Sequence, residues 1–254
     1  VIMESPYSSP GQTQALDIEI TNRSSVKSRL VKIEYLPMGQ DTMINSNLTE
    51  NEVYNFSKLI EIPADMDYTS PYWLNDEPEL GMYKVEDLLL RGLPETPRAL
   101  KARFLFEIQG AYISFEKALE YKYTDNVKGE IYQPFEILPE AFVSIEEPAF
   151  IFGNQDPKPM TVNVKAGVDN FEGTVQLNLP EGWSTKPANY PVALGRKGQS
   201  QTFEFMLYPP NDASEVEISA YIDANGKTYD RSLTLIEYDH ICNGCFRFRK
   251  NHCW

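Results

Sequence analysis

Apolar and polar residues alternate with a period of two along most of the chain, the mark of strands that bury one face. Leu16, Ile18 and Ile20 alternate with Asp17, Glu19 and Thr21. After the polar stretch 22–28, Val31, Ile33 and Tyr35 repeat the pattern. In Leu100–Ile108, the side chains of Phe104, Phe106 and Ile108 share one face; Gln109-Gly110 predicts a turn, and Tyr112–Tyr123 the return strand of a long hairpin. Further alternations run through Met160/Val162/Val164, Val175/Leu177/Leu179, Phe203/Phe205/Leu207 and Val216/Ile218/Ala220. Asn225-Gly226 is a type I′ turn signal, because both central residues of that turn need positive φ. It joins a strand ending near Ile222 to one at Tyr229–Glu237. The helical signal is confined to Glu86–Arg91 (EDLLLR), which Gly92, Pro94 and Pro97 stop within a turn.

Short strands punctuated by turn residues about every ten positions predict an all-β protein built from two consecutive immunoglobulin-like sandwiches. Leu138-Pro139 is the expected boundary. Residues 138–240 have the length of one seven-strand sandwich, about 100 residues. Residues 1–137 form the other, carrying an insert at 62–97 rich in Pro, Asp, Glu and Tyr. Residues 241–254 form an atypical tail.

Composition narrows the partners. The 254 residues carry 23 Lys and Arg against 37 Asp and Glu, a net charge of −14. Nucleic acid and anionic membrane both demand a basic face, so neither is an expected partner. No apolar run reaches the ~18 residues of a membrane span. The opening VIMESPYSSPGQ has no basic n-region or apolar h-region, so no signal peptide is expected within it. Only two histidines, His240 and His252, are available for metal or general-base chemistry. No G-x-S-x-G, phosphate loop, G-x-G-x-x-G or H-E-x-x-H occurs.

Three clusters invite a chemical reading. All three cysteines fall in the tail, and Cys242, Cys245, His252 and Cys253 supply the four soft ligands that tetrahedral zinc requires. Their spacing is not that of a standard zinc site, and the tail lacks the thioredoxin-like setting of a redox C-x-x-C. The bland alternative is an irregular chain end. In the insert, Asp65, Asp67, Asp76, Glu77, Glu79, Glu86 and Asp87 gather without the D-x-D-x-D-G pattern of a calcium loop. They read as a solvated acidic loop, with calcium binding or paired-carboxylate catalysis as the sharper alternatives. The same insert carries Tyr68, Tyr72, Trp73 and Tyr83 beside Pro71 and Asn75. Flat rings near a few polar groups are what a sugar or protein partner would use; packing across the end of a sandwich is the competing reading. Trp183, after Gly182, reads as a core plug of the second sandwich. No catalytic residue and no cofactor is assigned.

Four stretches carry a family likeness: SPYWLNDEPELGMYKVED (Ser70–Asp87), LPETPRALKARFLFEIQG (Leu93–Gly110), YKYTDNVKGEIYQPFEILP (Tyr121–Pro139) and IEYDHI (Ile236–Ile241). They resemble the non-catalytic β-sandwich region of large bacterial PIG-L (LmbE-like) deacetylases of the type common in Bacteroidetes. The second half, through Val175–Leu179, Pro180-Glu181-Gly182-Trp183 and Leu194-Gly195, is similar to the NPCBM-associated Ig-like domain found beside glycoside hydrolases. The family's His-Pro-Asp-Asp zinc motif has no counterpart here, so no catalytic residue carries over. The resemblance implies a periplasmic or cell-surface accessory region whose partner is a neighbouring catalytic domain. A scaffold or substrate-presenting role is the first expectation. A carbohydrate-binding module using the loop aromatics is the second.

Overall fold

Period-two alternation becomes strand through most of each expected stretch, and most of the side chains it marks point inward. The structure is a computed structural model describing all residues except 77–79, 213–214, 237–244, 251 and 254; at 235–236, 245–250 and 252–253 it describes the backbone alone. Among the described residues the fold is all-β, with one short 3₁₀ turn at Tyr72–Leu74. Its sheets are mainly antiparallel, as in β-sandwich domains. Contacts divide the chain into two units: the first holds Val1–Tyr72 and Val85–Leu138, the second Trp73–Lys84 and Pro139–Ile236.

The first unit contains β1 (Ile2–Met3), β2 (Tyr7–Ser8), β3 (Thr13–Thr21), β4 (Ser28–Leu36), β5 (Gln40–Leu48), β6 (Val53–Glu61), β7 (Lys101–Ile108), β8 (Ala111–Ala118), β9 (Glu120–Asp125), β10 (Gly129–Pro134) and β11 (Glu136–Ile137). One sheet runs β10-β9-β1-β3-β6 and the other β5-β4-β7-β8, with β11 beside β2 as a small third piece. A single core joins them: Leu16, Ile18 and Ile60 from the first sheet meet Leu30, Ile33, Tyr35, Ala102 and Phe104 from the second. Burying each large side chain contributes about 1.5–3 kcal/mol.

Two local expectations need correction. The register slips between Leu30 and Lys32, a β-bulge, so Leu30 and not Val31 joins Ile33 and Tyr35 in the core. The long return strand of the hairpin also breaks. Gln109 (φ 51°) and Gly110 (φ 84°) make the expected tight turn, but β8 ends at Ala118. Leu119 is buried and donates its N–H to Leu100 O at 3.1 Å, and β9 then continues in the opposite sheet. A buried apolar residue marks where the chain crosses between sheets, which alternation alone does not show.

The outer face of the β5-β4-β7-β8 sheet is laced by charge. Lys32 Nζ lies 2.6 Å from Glu34 Oε1, Arg103 Nη2 lies 2.7 Å from Glu116 Oε1, and Arg29 pairs with Glu107. The Lys32 hydrogen bond holds the Glu34 carboxyl below its usual range, and the Arg103 hydrogen bond does the same for Glu116. These groups are partly solvated, so they add little stability; Arg29–Glu107 and Arg103–Glu116 favour the observed cross-strand register.

The second unit contains β12 (Ala141–Ile145), β13 (Lys158–Ala166), β14 (Phe171–Asn178), β15 (Ser184–Lys186), β16 (Asn189–Leu194), β17 (Ser200–Tyr208), β18 (Ile218–Ala224), β19 (Lys227–Tyr229) and β20 (Arg231–Ile236). Two strands of the tail follow, β21 (Cys245–Lys250) and β22 (His252–Cys253). One sheet runs β12-β13-β17-β15 and the other β16-β14-β18-β19, with β22 also on β18; β20 pairs with β21. Met160, Val162, Val164, Phe205 and Leu207 from one sheet and Val175, Ile218, Ala220 and Ile222 from the other share one core. Asn225 (φ 51°) and Gly226 (φ 76°) form the expected I′ hairpin between β18 and β19. The last strand, expected at Tyr229–Glu237, is split at Asp230 into β19 and β20.

Candidate functional site

The aromatic insert is fastened at its base. Thr69 N–H donates to Ile137 O at 2.9 Å, and Ile137 N–H donates to Thr69 Oγ1 at 2.9 Å. Burial raises the pKa of the neighbouring Glu136 carboxyl above its ordinary value, while a hydrogen bond from Thr69 and the charge of Arg98 pull the other way. Tyr72 is buried at 8% exposure; its hydroxyl donates to Leu93 O at 3.0 Å and Thr96 Oγ1 accepts from its N–H at 2.9 Å. Its ring is spent on packing and its polar handle on the backbone. Tyr68 sits at 36% exposure in the same unit. Trp73 is half-buried and Tyr83 is 61% exposed; both group with the second unit. The expected helical turn at Glu86–Arg91 is instead a pair of turns, Leu90 N–H to Asp87 O and Leu93 N–H to Leu90 O, each 3.1 Å. Of the acidic residues, Asp65, Asp67, Glu86 and Asp87 are exposed, and Glu77 and Glu79 lie outside the described residues. Among the described residues no three acidic, His or Cys side chains gather as a metal site would require.

The second unit contains a concavity that the sequence reading did not place. Three connections converge at one end of its sandwich: the β12–β13 loop, the β14–β15 turn and the β17–β18 loop. They enclose a half-open cleft of about 620 Å³, within the range of small-ligand sites. Phe150, Phe152, Trp183, Pro209 and Pro210 supply its flat apolar surfaces, and Ile218 of the core lies at its wall. Asn154, Gln155, Asn211, Asp212 and Glu215 are its exposed polar residues.

Local chemistry fixes this end. Glu147 clamps the start of the β12–β13 loop, its Oε2 accepting from Thr161 N–H at 3.1 Å and its Oε1 from Thr161 Oγ1 at 3.0 Å. Asn154 Oδ1 accepts from Asp156 N–H at 3.2 Å, an Asx turn that folds the loop back. Lys158 Nζ donates to Ile151 O at 2.5 Å and lies 5.3 Å from the centre of the Phe152 ring. Trp183 meets the same ring edge-on at 5.2 Å. Gly182 is the pivot of the turn that delivers it. Its φ is +87°, and a Cβ there would stand 3.1 Å from Pro210 Cβ. Register does the rest, because Ser184 opposite Tyr208 sets Trp183 beside the start of the Pro209-Pro210 segment. The Trp183 indole Nε1 is shut off from solvent without an acceptor among the described residues.

The opposite end of this sandwich holds a different oddity. Burial lowers the pKa of the Lys197 ammonium to about 8, with the charge of Asp169 opposing the shift. Asp169 Oδ1 accepts from Lys197 N–H at 2.7 Å, which ties the β16–β17 turn to the β13–β14 turn. That is a structural bracket between two turns.

Of the tail candidates, Cys242 lies outside the described residues; Cys245 sits on β21, and His252 and Cys253 on β22, where only the backbone is described. Trp183, read as a core plug, does pack against the core, but it also forms a wall of the cleft. The overlooked signal was compositional: Pro148-Ala-Phe-Ile-Phe-Gly-Asn-Gln and Pro209-Pro-Asn-Asp are aromatic, proline and amide-rich loops. They leave alternate strands and so emerge at one end of a sandwich. No protein-family model matches the chain, and no curated protein matches it in sequence.

Proposed function

We propose that this chain is a non-catalytic accessory region of an extracytoplasmic PIG-L-like N-acetyl-sugar deacetylase, built as two immunoglobulin-like sandwiches. The stretches quoted above support the parent. The second unit's strand order supports the finer fold: β13 lies beside β17 and β14 beside β18, so from β13 to β18 successive strands alternate between the two sheets, as in Greek-key sandwiches. The observation that carries the functional reading is how the space between sheets is used. Tyr35 in the first unit and Phe205 in the second are wholly buried, each in a core drawn from both sheets. Rigid bodies filled this way hold loops and neighbours at fixed distance, and contact with a substrate polymer falls to strand-end loops.

The test uses the product of the full reading frame. It should release acetate from N-acetylated glycans in a zinc-dependent manner. Deleting residues 1–254 should lower kcat/KM several-fold on a polymeric substrate and leave a small chromogenic substrate unchanged. Absence of any deacetylase activity from the full product, or equal loss on both substrates, would overturn the reading. A second reading, a carbohydrate-binding module, is favoured by one observation, the aromatic cleft of the second unit.

A further inference from the structure

We propose that the cleft between the β12–β13, β14–β15 and β17–β18 connections binds a short uncharged oligosaccharide, with Phe150, Phe152 and Trp183 as its apolar wall and Asn211, Asp212 and Glu215 as its hydroxyl-binding rim. The inference deepens the accessory role and to that extent rests on it. It moves sugar contact away from the insert aromatics and onto residues of the second unit.

Three features select the ligand class. Five of the nine apolar lining residues are flat rings or prolines, beside Ala149, Ile151, Val216 and Ile218, and the flat surfaces suit the C–H faces of pyranose rings. The rim groups are planar amides and carboxylates, each able to take two adjacent hydroxyls at once. Among the described residues no lysine or arginine lines the cleft, while Asp212 and Glu215 do, so phosphate, sulfate and uronic acid groups meet like charge.

A fourth feature leaves the rim open to a ligand. The side chains of Gln155, Asn211, Asp212 and Glu215 have no hydrogen-bond or ion-pair partner among the described residues. Some polar side chains elsewhere in the unit are paired, as Gln176 is with Asp223 at 2.8 Å, and Asn154 at the cleft is taken up by Asp156 at 2.6 Å. Here a set of donors and acceptors stands uncommitted around an aromatic floor. The indole N–H of Trp183 is a further unpaired donor in the wall.

The whole chain is titrated by calorimetry with triacetylchitotriose, cellotriose and mannotriose, with trigalacturonate and trilysine as charged controls. At least one neutral trisaccharide should bind at micromolar to millimolar Kd. Asn211→Ala and Asp212→Ala, exposed loop substitutions, should each weaken it five-fold or more with an unchanged melting curve. Phe150→Ala should weaken it ten-fold or more; Tyr83→Ala should leave it unchanged. A flat titration with all neutral sugars overturns the assignment, as does binding indifferent to all three cleft substitutions. Binding of trilysine alone would mark the cleft as a peptide site and overturn it too. The two proposals fail separately. A flat titration with a retained effect of the 1–254 deletion removes the cleft and leaves the scaffold. Sugar binding without deacetylase activity in the full product leaves the cleft and removes the parent.

Discussion

The insert at 62–97 and the β12–β13, β14–β15 and β17–β18 connections are both aromatic, Pro-rich and acidic, yet they differ in where their polar groups go. In the insert, Tyr72 gives its hydroxyl to Leu93 O, Thr96 Oγ1 takes the Tyr72 N–H, and Thr69 brackets Ile137. These groups are consumed in holding the segment down. Around the cleft, Gln155, Asn211, Asp212 and Glu215 are left over, and the rings beside them line a volume of about 620 Å³. Density of aromatic residues in a sequence therefore marks neither packing nor binding. What separates the two is whether strand ends bring the rings around a concavity.

The largest expected effect comes from breaking the insert's packing. Tyr72→Ala removes a buried ring and its hydrogen bond, and should cost about 3 kcal/mol by urea unfolding. Tyr72→Phe isolates the hydroxyl, at about 1 kcal/mol. A Tyr72→Ala loss below that of Tyr72→Phe would show the ring to be unpacked and would return it to the pool of binding residues.

Next in size is Gly182→Ala. At φ +87° an L-residue is strained by about 1–2 kcal/mol, and the new Cβ would press on Pro210. The turn that delivers Trp183 to the cleft should shift. Near-ultraviolet circular dichroism, reporting the Trp183–Phe152 contact, should weaken together with sugar affinity. Stability lost with affinity intact would separate the turn from the cleft.

Much of this architecture was legible in the residues, and the illegible parts share a cause. Leu16, Ile18, Val162, Phe205 and Ile222 fall inward because alternation is a one-dimensional pattern that a strand reads directly. The bulge at Leu30–Lys32 and the crossing at Leu119 depend on which strand lies alongside, information that sits far away in sequence. The cleft is the same case at larger scale. Phe150, Trp183 and Asn211 are separated by tens of residues and become one surface only through the pairing of β15 with β17 and the order of the two sheets. Tyr68, Tyr72, Trp73 and Tyr83 are close in sequence, which made them conspicuous; Tyr72 turns inward all the same.

A pH experiment probes the insert's base. The folded state holds the Glu136 pKa above its unfolded value because burial disfavours the charge. Folded protein therefore binds the proton more tightly, and stability should fall as pH rises from about 4.5 through the raised value. Glu136→Gln should be more stable than the parent at neutral pH and should flatten that slope. Lys197 gives the opposite sign in the second unit. With its folded pKa lowered to about 8, stability should increase from there toward the ordinary lysine value, and Lys197→Met should abolish the rise. Parallel slopes from both variants would mean that one of these groups is solvated.

The smallest effect is the most discriminating. Tyr83 is 61% exposed, so Tyr83→Ala should change stability by less than about 0.5 kcal/mol. If the insert is packing and acidic surface, sugar affinity should not move either. If the insert were the sugar platform, an exposed ring of this kind would be its natural stacking face, and its removal would weaken binding ten-fold while Asn211→Ala and Asp212→Ala did nothing. One titration series over these three folded variants thus decides which of the two aromatic regions meets a ligand, because none of them disturbs a core.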